Sequence, residues 1–173
     1  MIKDFDLLQR ANNDYTTIDL EHAEELAYRE LIDSIRYISL GDECGVMGNI
    51  ANIITYKGRF YIQEEQFDRV FIYDDTGRCL KKIDNKGRGP GEYLRIESID
   101  INTEKEELML VDGMSDKLFF YDLDGNFKSI HSIRYFQTEN TLCLRDSVFL
   151  HISAPSQNFG NEGLYGYALV LSK

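Results

Sequence analysis

The sequence VFIYDDTG at residues 70–77 returns as LFFYDLDG at residues 118–125, and this repeat decides the fold. The offset between the copies is 48 residues, as from Tyr73 to Tyr121. The same offset relates upstream positions, such as Asp68 to Asp116. An internal repeat of this length predicts one structural unit that the chain uses more than once.

Each copy contains four short apolar runs with turn residues between them. The length of the runs and their β-branched and aromatic content predict antiparallel strands. A third, looser copy supplies three such runs and no fourth. We therefore predict an all-β fold made of β-propeller blades of four antiparallel strands, with about three blades' worth in this chain. The runs are IANIIT, RFYIQ, RVFIYD and RCLKKI, then ESIDIN, ELMLVD, KLFFYD and NFKSIHSI, then TLCLRD, SVFLHIS and YALVLSK.

The repeat predicts how the chain is divided. Residues 1–33 form an N-terminal arm, in which LEHAEELAYRELIDSI has apolar residues at approximate helical spacing and is predicted to be a short helix or an extended segment. Residues 34–173 form the β region. Its predicted parts are a lone strand at 34–40, a first blade at 46–84, a second blade at 94–133 and an incomplete third blade at 140–173.

Charge and hydropathy exclude some classes of function. The chain has 30 acidic residues against 19 lysines and arginines, a net charge of −11, which argues against nucleic-acid binding. No apolar run is long enough for a transmembrane helix. The first residues, MIKDFDLLQRANNDY, lack the features of a signal peptide.

The glycine-rich stretch NKGRGPGEY at residues 85–93 is predicted to be a structural turn between two blades. Glycine accepts positive φ angles, and proline stiffens the crossing. The stretch matches neither a dinucleotide fingerprint nor a Walker loop, and a strand follows it. Its predicted turn residues are Gly87, Arg88, Gly89, Pro90, Gly91, Glu92 and Tyr93, of which Glu92 and Tyr93 are expected to hold the turn by hydrogen bonding and packing.

Motifs for metal binding and catalysis are weak. DLDGN at residues 122–126 resembles the start of a calcium loop, but its repeat counterpart, DDTGR at 74–78, keeps only the turn residues. We therefore predict a hairpin turn there. The histidines and cysteines show no metal-ligand or catalytic spacing, so the cysteines are predicted to be packing residues, and no metal, cofactor or catalytic residue is predicted. These residues are His22, His131 and His151, and Cys44, Cys79 and Cys143.

The order FxYDxxG, GRGPGEY, LMLVD and FFYDLDG resembles the six-bladed β-propeller proteins of Bacteroides-type bacteria, relatives of the NHL-repeat propellers. The resemblance covers roughly residues 30–135. It implies a propeller fold and export to the cell envelope or periplasm. Six units of 48 residues exceed the 173 residues of the chain, so we expect either a strand-exchanged homodimer that closes a six-bladed ring or a fragment.

The predicted function is a non-enzymatic binding or interaction module for a peptide, a glycan or an envelope protein. Binding to such a ring would fall on the mouth of the channel, where the innermost strands begin. One alternative is a propeller hydrolase or lyase, similar to lactonases, with a metal in the channel. Another is a truncated fragment without independent activity. The predicted ligand-binding residues are Asn49, Asn52, Arg95, Glu97 and Ser98.

Overall fold

The structure, a computed structural model, describes residues 32–133, 140–145, 148–153 and 168–172. The chain divides into two compact units, residues 1–37 and 38–173. Of the first unit, only residues 32–37 are described, and they contain neither helix nor strand. The predicted arm or helix at residues 1–33, with His22, therefore lies almost wholly outside the described residues.

The second unit contains eleven described strands in three antiparallel sheets. Sheets 1 and 2 each run in chain order, and sheet 3 has the order β11-β10-β9. Sheet 1 consists of β1 (Ile50–Tyr56), β2 (Arg59–Glu64), β3 (Arg69–Asp74) and β4 (Cys79–Ile83). Sheet 2 consists of β5 (Ser98–Asn102), β6 (Glu107–Asp112), β7 (Lys117–Asp122) and β8 (Phe127–Ser132). Sheet 3 consists of β9 (Asn140–Arg145), β10 (Val148–Ser153) and β11 (Ala168–Ser172).

The all-β prediction is confirmed, but the propeller prediction is not. The two repeat copies form two four-stranded antiparallel sheets, not propeller blades or NHL repeats. The reason lies in what the pattern encodes: short strands and Asp-x-x-Gly turns specify hairpins within one sheet. They do not specify how sheets are arranged around an axis. Residues 34–40, predicted as a lone strand, contain no strand in the structure.

A continuous apolar core joins sheets 1 and 2. It includes Tyr61 and Ile72 from sheet 1 and Leu110 and Phe119 from sheet 2, all almost completely buried. Side chains alternate between the two faces of a strand, so each sheet also has a second apolar face. On sheet 2 that second face packs on sheet 3, where the Phe120 and Phe149 rings lie 6.1 Å apart.

Gly125 allows the close approach of the first two sheets. Its φ is +79°, and a Cβ atom there would lie 2.8 Å from Lys81 Cγ and 2.9 Å from Ile72 Cδ1, both in sheet 1. Glycine is the residue that adopts this φ without a steric penalty. Its repeat counterpart Gly77 has a φ of +87°, and a Cβ atom at Gly77 would lie 2.1 Å from the backbone oxygen of Ser39. The repeated glycine thus marks where each sheet contacts the chain segment before it.

Residues 38–48, here called the strap, lie on the second face of sheet 1. A disulfide joins Cys44 in the strap to Cys79 in β4, with a Cα–Cα distance of 5.9 Å. The prediction that Cys44 and Cys79 are only packing residues is therefore wrong. The two cysteines are 35 residues apart, and no local spacing indicates that a loop and a strand edge meet. Cys143 is partly buried against the core of sheets 2 and 3.

Candidate functional site

An open cleft lies between sheets 1 and 2 at the end where β1 turns into β2 and β5 turns into β6. Tyr56 pairs with Arg59 at this end of sheet 1, and Asn102 pairs with Glu107 at this end of sheet 2. The cleft has a volume of about 460 Å³, within the range of small-molecule sites. Its lining residues are Lys57, Arg59, Tyr61, Glu106, Asp122, Leu123 and Asp124.

Arg59 is fixed across the cleft by sheet 2. Its Nη1 donates to the carbonyl oxygen of Leu123 at 2.8 Å and to Asp124 Oδ1 at 2.7 Å. The Tyr61 hydroxyl donates to the same carbonyl oxygen at 3.1 Å. The guanidinium is preorganised because the oxygens that accept its hydrogen bonds belong to the turn between β7 and β8.

A second ion pair, Lys57 with Glu106, spans the mouth of the cleft. About half of each side chain is exposed, 53% for Lys57 and 51% for Glu106. Pairs this exposed contribute little to stability and are easily rearranged. A ligand can therefore exchange its own hydrogen bonds for this pair at little cost.

The two cations of the cleft remain charged near neutral pH. The side-chain hydrogen bond to Asp124 raises the pKa of Arg59, and the one to Glu106 raises the pKa of Lys57. Burial raises the pKa of the Tyr61 hydroxyl, although Arg59 partly opposes this. The site therefore offers two permanent cationic donors beside a neutral phenol.

Asp122 serves the turn between β7 and β8. Its Oδ1 accepts from the amides of Asp124 at 3.0 Å and Asn126 at 2.8 Å, and its Oδ2 accepts from Asn126 Nδ2 at 2.9 Å. Burial opposes ionisation, but the Asn126 hydrogen bonds hold the pKa of Asp122 below its ordinary value. Asp74 caps the repeat-equivalent turn in the same way, through the amides of Thr76 and Arg78. Within the described part of the chain, no group of three or more His, Cys, Asp or Glu residues is placed to hold a metal ion.

The five predicted ligand-binding residues lie at the opposite end of the sheets and do not line the cleft. Asn49 and Asn52 are exposed beside the end of sheet 1 where Ile50 pairs with Glu64. Arg95 forms an ion pair with Glu97 at 3.4 Å. Ser98 is buried, and its Oγ accepts from the amide of Thr141 in sheet 3 at 3.4 Å. A binding role for these five residues stays a prediction.

A polar network at that same end ties sheet 1 to the segment leading into β5. Gln63 Nε2 donates to the carbonyl oxygens of Ile96 at 3.0 Å and Glu97 at 3.3 Å. Asp68 accepts from the amide of Ile96 at 3.2 Å and, through its carbonyl oxygen, from the Tyr93 hydroxyl at 2.8 Å. Sequence reasoning missed Gln63 and Asp68. The repetition of Asp68 as Asp116 was a sequence signal that could have identified it. Both residues occupy the same special backbone conformation, with positive φ of 55° and 52°.

The glycine-rich loop folds back on itself beside this network. The Gly87 amide donates to the Tyr93 carbonyl oxygen at 2.9 Å, and the Gly89 amide donates to Glu92 Oε2 at 2.7 Å. A Cβ atom at Gly87 would lie 1.9 Å from Glu92 Oε2, so the loop closes tightly around this carboxylate. Arg88 and Pro90 are exposed.

Residues 15–171 match the family model of DUF4934, a domain of unknown function. No curated protein matches the chain. The match to DUF4934, together with the separate four-stranded sheets, overturns the resemblance to NHL-repeat propellers. That resemblance depended on hairpin motifs that different β families share.

Two solved structures from Bacteroides are similar to parts of the chain. One is a candidate exported protein from Bacteroides fragilis, with TM-score 0.66, 19% identity, and coverage of 79% of this chain and 38% of that chain. The other is a member of the DUF4221 family from Bacteroides vulgatus, with TM-score 0.43, 12% identity, and coverage of 65% and 36%. The chain thus spans less than two fifths of either neighbour. The described residues contain no helix long and apolar enough to cross a membrane.

Proposed function

We propose that this chain, which belongs to the DUF4934 family, is a non-enzymatic binding module that takes a neutral glycan into the cleft between sheets 1 and 2. The observation that carries the proposal is the Arg59–Asp124 pair, held across the cleft beside the half-exposed Lys57–Glu106 pair.

The chemistry of the lining favours a polyhydroxylated ligand. Five of the seven lining residues are charged, two positive and three negative. Guanidinium and ammonium groups donate hydrogen bonds, and carboxylates accept them. A sugar hydroxyl does both, so neighbouring hydroxyls can match neighbouring donors and acceptors. The nearly balanced charge favours neither a strongly anionic nor a strongly cationic ligand.

A peptide is the less favoured ligand. Leu123 is the one aliphatic residue in the lining, so an apolar side chain would bury little apolar surface there. The carboxylates also give no support to catalysis. Glu106 and Asp124 are ion-paired, and the Asn126 hydrogen bonds lower the pKa of Asp122 despite burial, so Asp122 is not set up as a proton donor.

We place this binding function in the cell envelope. A disulfide such as Cys44–Cys79 persists in oxidising compartments and is rare in the cytosol. The structural neighbour from Bacteroides fragilis is described as a candidate exported protein, which agrees with this location. Alkylation of thiols in intact cells tests it: both cysteines should resist modification before reduction.

A homodimer formed by strand exchange is part of the same proposal. Sheet 3 has three described strands where sheets 1 and 2 have four, and β11 lies at one edge of it. An edge strand is a site for pairing with another chain. Light scattering should give twice the chain mass of 20.1 kDa, and a clean monomer contradicts strand exchange.

Calorimetric titration with a panel of neutral trisaccharides, including maltotriose, xylotriose and mannotriose, tests the ligand class. Arg59→Gln should weaken binding by roughly tenfold or more, since it removes a charge-assisted donor. Arg78→Gln is the matched control, because Arg78 forms its ion pair with Asp74 outside the cleft lining. Equal affinity of the wild type and Arg59→Gln, or binding of short peptides alone, contradicts the glycan proposal.

A further inference from the structure

The repeat relates one face of sheet 2 to one face of sheet 1, and different parts of the chain cover these two faces. Leu110, Phe119 and Tyr121 of sheet 2 share one apolar core with residues of sheet 1, including Tyr61, Val70 and Ile72. Their counterparts 48 residues earlier, at Ile62, Phe71 and Tyr73, are just as completely buried, yet the strap lies on them. Among the described residues outside sheet 1, the apolar contacts on this face come from a short segment of coil.

The strap has few apolar attachments of its own. Its residues Cys44 and Met47 are partly buried against the face. Val46 is 81% exposed and adds little apolar burial, whereas Leu40, at 39% exposed, is more than half covered. The apolar contacts of the strap are therefore partial, and its polar contacts and disulfide add to them.

Three polar contacts of the strap lie at the hairpin between β3 and β4, and a fourth joins the Val46 carbonyl oxygen to Arg69 Nη2 at 3.4 Å. The Gly41 amide donates to the Gly77 carbonyl oxygen at 2.8 Å, and the Tyr73 hydroxyl donates to the Gly41 carbonyl oxygen at 3.2 Å. The Cys79 amide donates to Glu43 Oε2 at 3.3 Å. These bonds surround the Cys44–Cys79 disulfide, which cross-links the strap to β4.

We propose that the strap is a redox-sensitive cover that reduction of the Cys44–Cys79 disulfide releases from sheet 1. A dithiol reductant attacks through its thiolate at Cys44, the more exposed of the two cysteine residues, and the Sγ–Sγ bond breaks. Two electrons and two protons pass to the protein, which gains two thiols, and the reductant becomes a disulfide. The strap then detaches locally and uncovers Ile62, Phe71 and Tyr73, while sheets 1 and 2 stay packed together.

Hydrogen exchange measured by mass spectrometry on the wild-type protein, with and without dithiothreitol, tests this proposal. In the reduced protein the amides of Gly41 and Cys79 should exchange at least about tenfold faster, because the disulfide no longer restrains local opening of the strap. The amides of Met109 and Phe119 in sheet 2 should change less than about twofold on the same local-opening argument. Binding of a fluorescent apolar dye should rise in parallel.

Two variants separate strap release from other effects. Cys44→Ala should reproduce the fast exchange without reductant, and Cys143→Ala, which leaves the disulfide intact, should not. Mass spectrometry must first confirm that both cysteines are thiols. If exchange at Gly41 and Cys79 is then unchanged, the proposal is overturned. Equal acceleration in sheet 2 also overturns it, because the strap would then open only with the whole fold.

Discussion

Replacing Gly125 with alanine should destabilise the protein more than the same change at Gly58. Both glycines have positive φ, +79° and +70°. They differ in surroundings: a Cβ at Gly125 would meet Ile72 Cδ1 at 2.9 Å and Lys81 Cγ at 2.8 Å, whereas a Cβ at Gly58 meets nothing within 4 Å. Gly58→Ala is therefore a matched control for the cost of the backbone conformation.

The expected magnitudes follow from these surroundings. Alanine at positive φ costs about 1–2 kcal/mol, and the loss of unfolded-chain entropy returns about 0.4–1 kcal/mol, so Gly58→Ala should cost about 1 kcal/mol. Overpacking of a filled core adds about 1–3 kcal/mol at Gly125, since Ile72 is completely buried. Gly125→Ala should therefore exceed the control by about 1–3 kcal/mol.

Urea unfolding followed by circular dichroism measures both variants. The urea concentration at the midpoint of unfolding should decrease in both variants. The slope of the free energy of unfolding against urea concentration should stay unchanged. Equal destabilisation of the two variants would refute the inference that the repeated glycine sets the approach of sheet 2 to sheet 1.

Three further predictions concern buried and turn-forming groups. Asp112→Ala should lower the free energy of unfolding by about 2–4 kcal/mol in chemical denaturation, because this buried carboxylate accepts from the amide of Leu94 and other donors that would be left unpaired; a loss below about 1 kcal/mol contradicts this. The Thr76 hydroxyl lowers the pKa of Asp74 to about 2. The ionised Asp74 should therefore stabilise the fold fully above the ordinary pKa of 3.8, and this stabilisation should be lost as the pH falls toward 2. Carboxyl NMR should give a titration midpoint for Asp74 near 2 and not near 3.8. Burial raises the pKa of the Tyr93 and Tyr121 hydroxyls, so their contribution to stability should be complete below about pH 10 and lost as the pH rises further; tyrosinate absorbance from these residues should appear together with loss of circular dichroism, and earlier ionisation in the folded state contradicts this.

The strands and hairpin turns could be predicted from the sequence because their signals are local. Alternating apolar residues and the Asp-x-x-Gly turns encode β3, β4, β7 and β8 within a few residues of each contact. The repeat also indicated that two similar sheets follow each other. It did not indicate a ring, because the packing of one sheet on the next depends on contacts between residues far apart in sequence.

The candidate cleft could not be predicted for the same reason. Arg59 meets Asp124 across 65 positions of sequence, and Lys57 meets Glu106 across 49. Each pair joins sheet 1 to a turn of sheet 2, and no local pattern marks either one. The predicted residues at the starts of the inner strands came from the propeller resemblance, which pointed to the other end of the sheets.

Backbone amide NMR during titration with the trisaccharide panel tests the binding proposal most directly. A bound neutral saccharide should shift amide signals of residues 57–61, 106 and 122–124, which surround the cleft. Shifts concentrated at residues 49–52 and 95–98, or no shift with any saccharide of the panel, would contradict it.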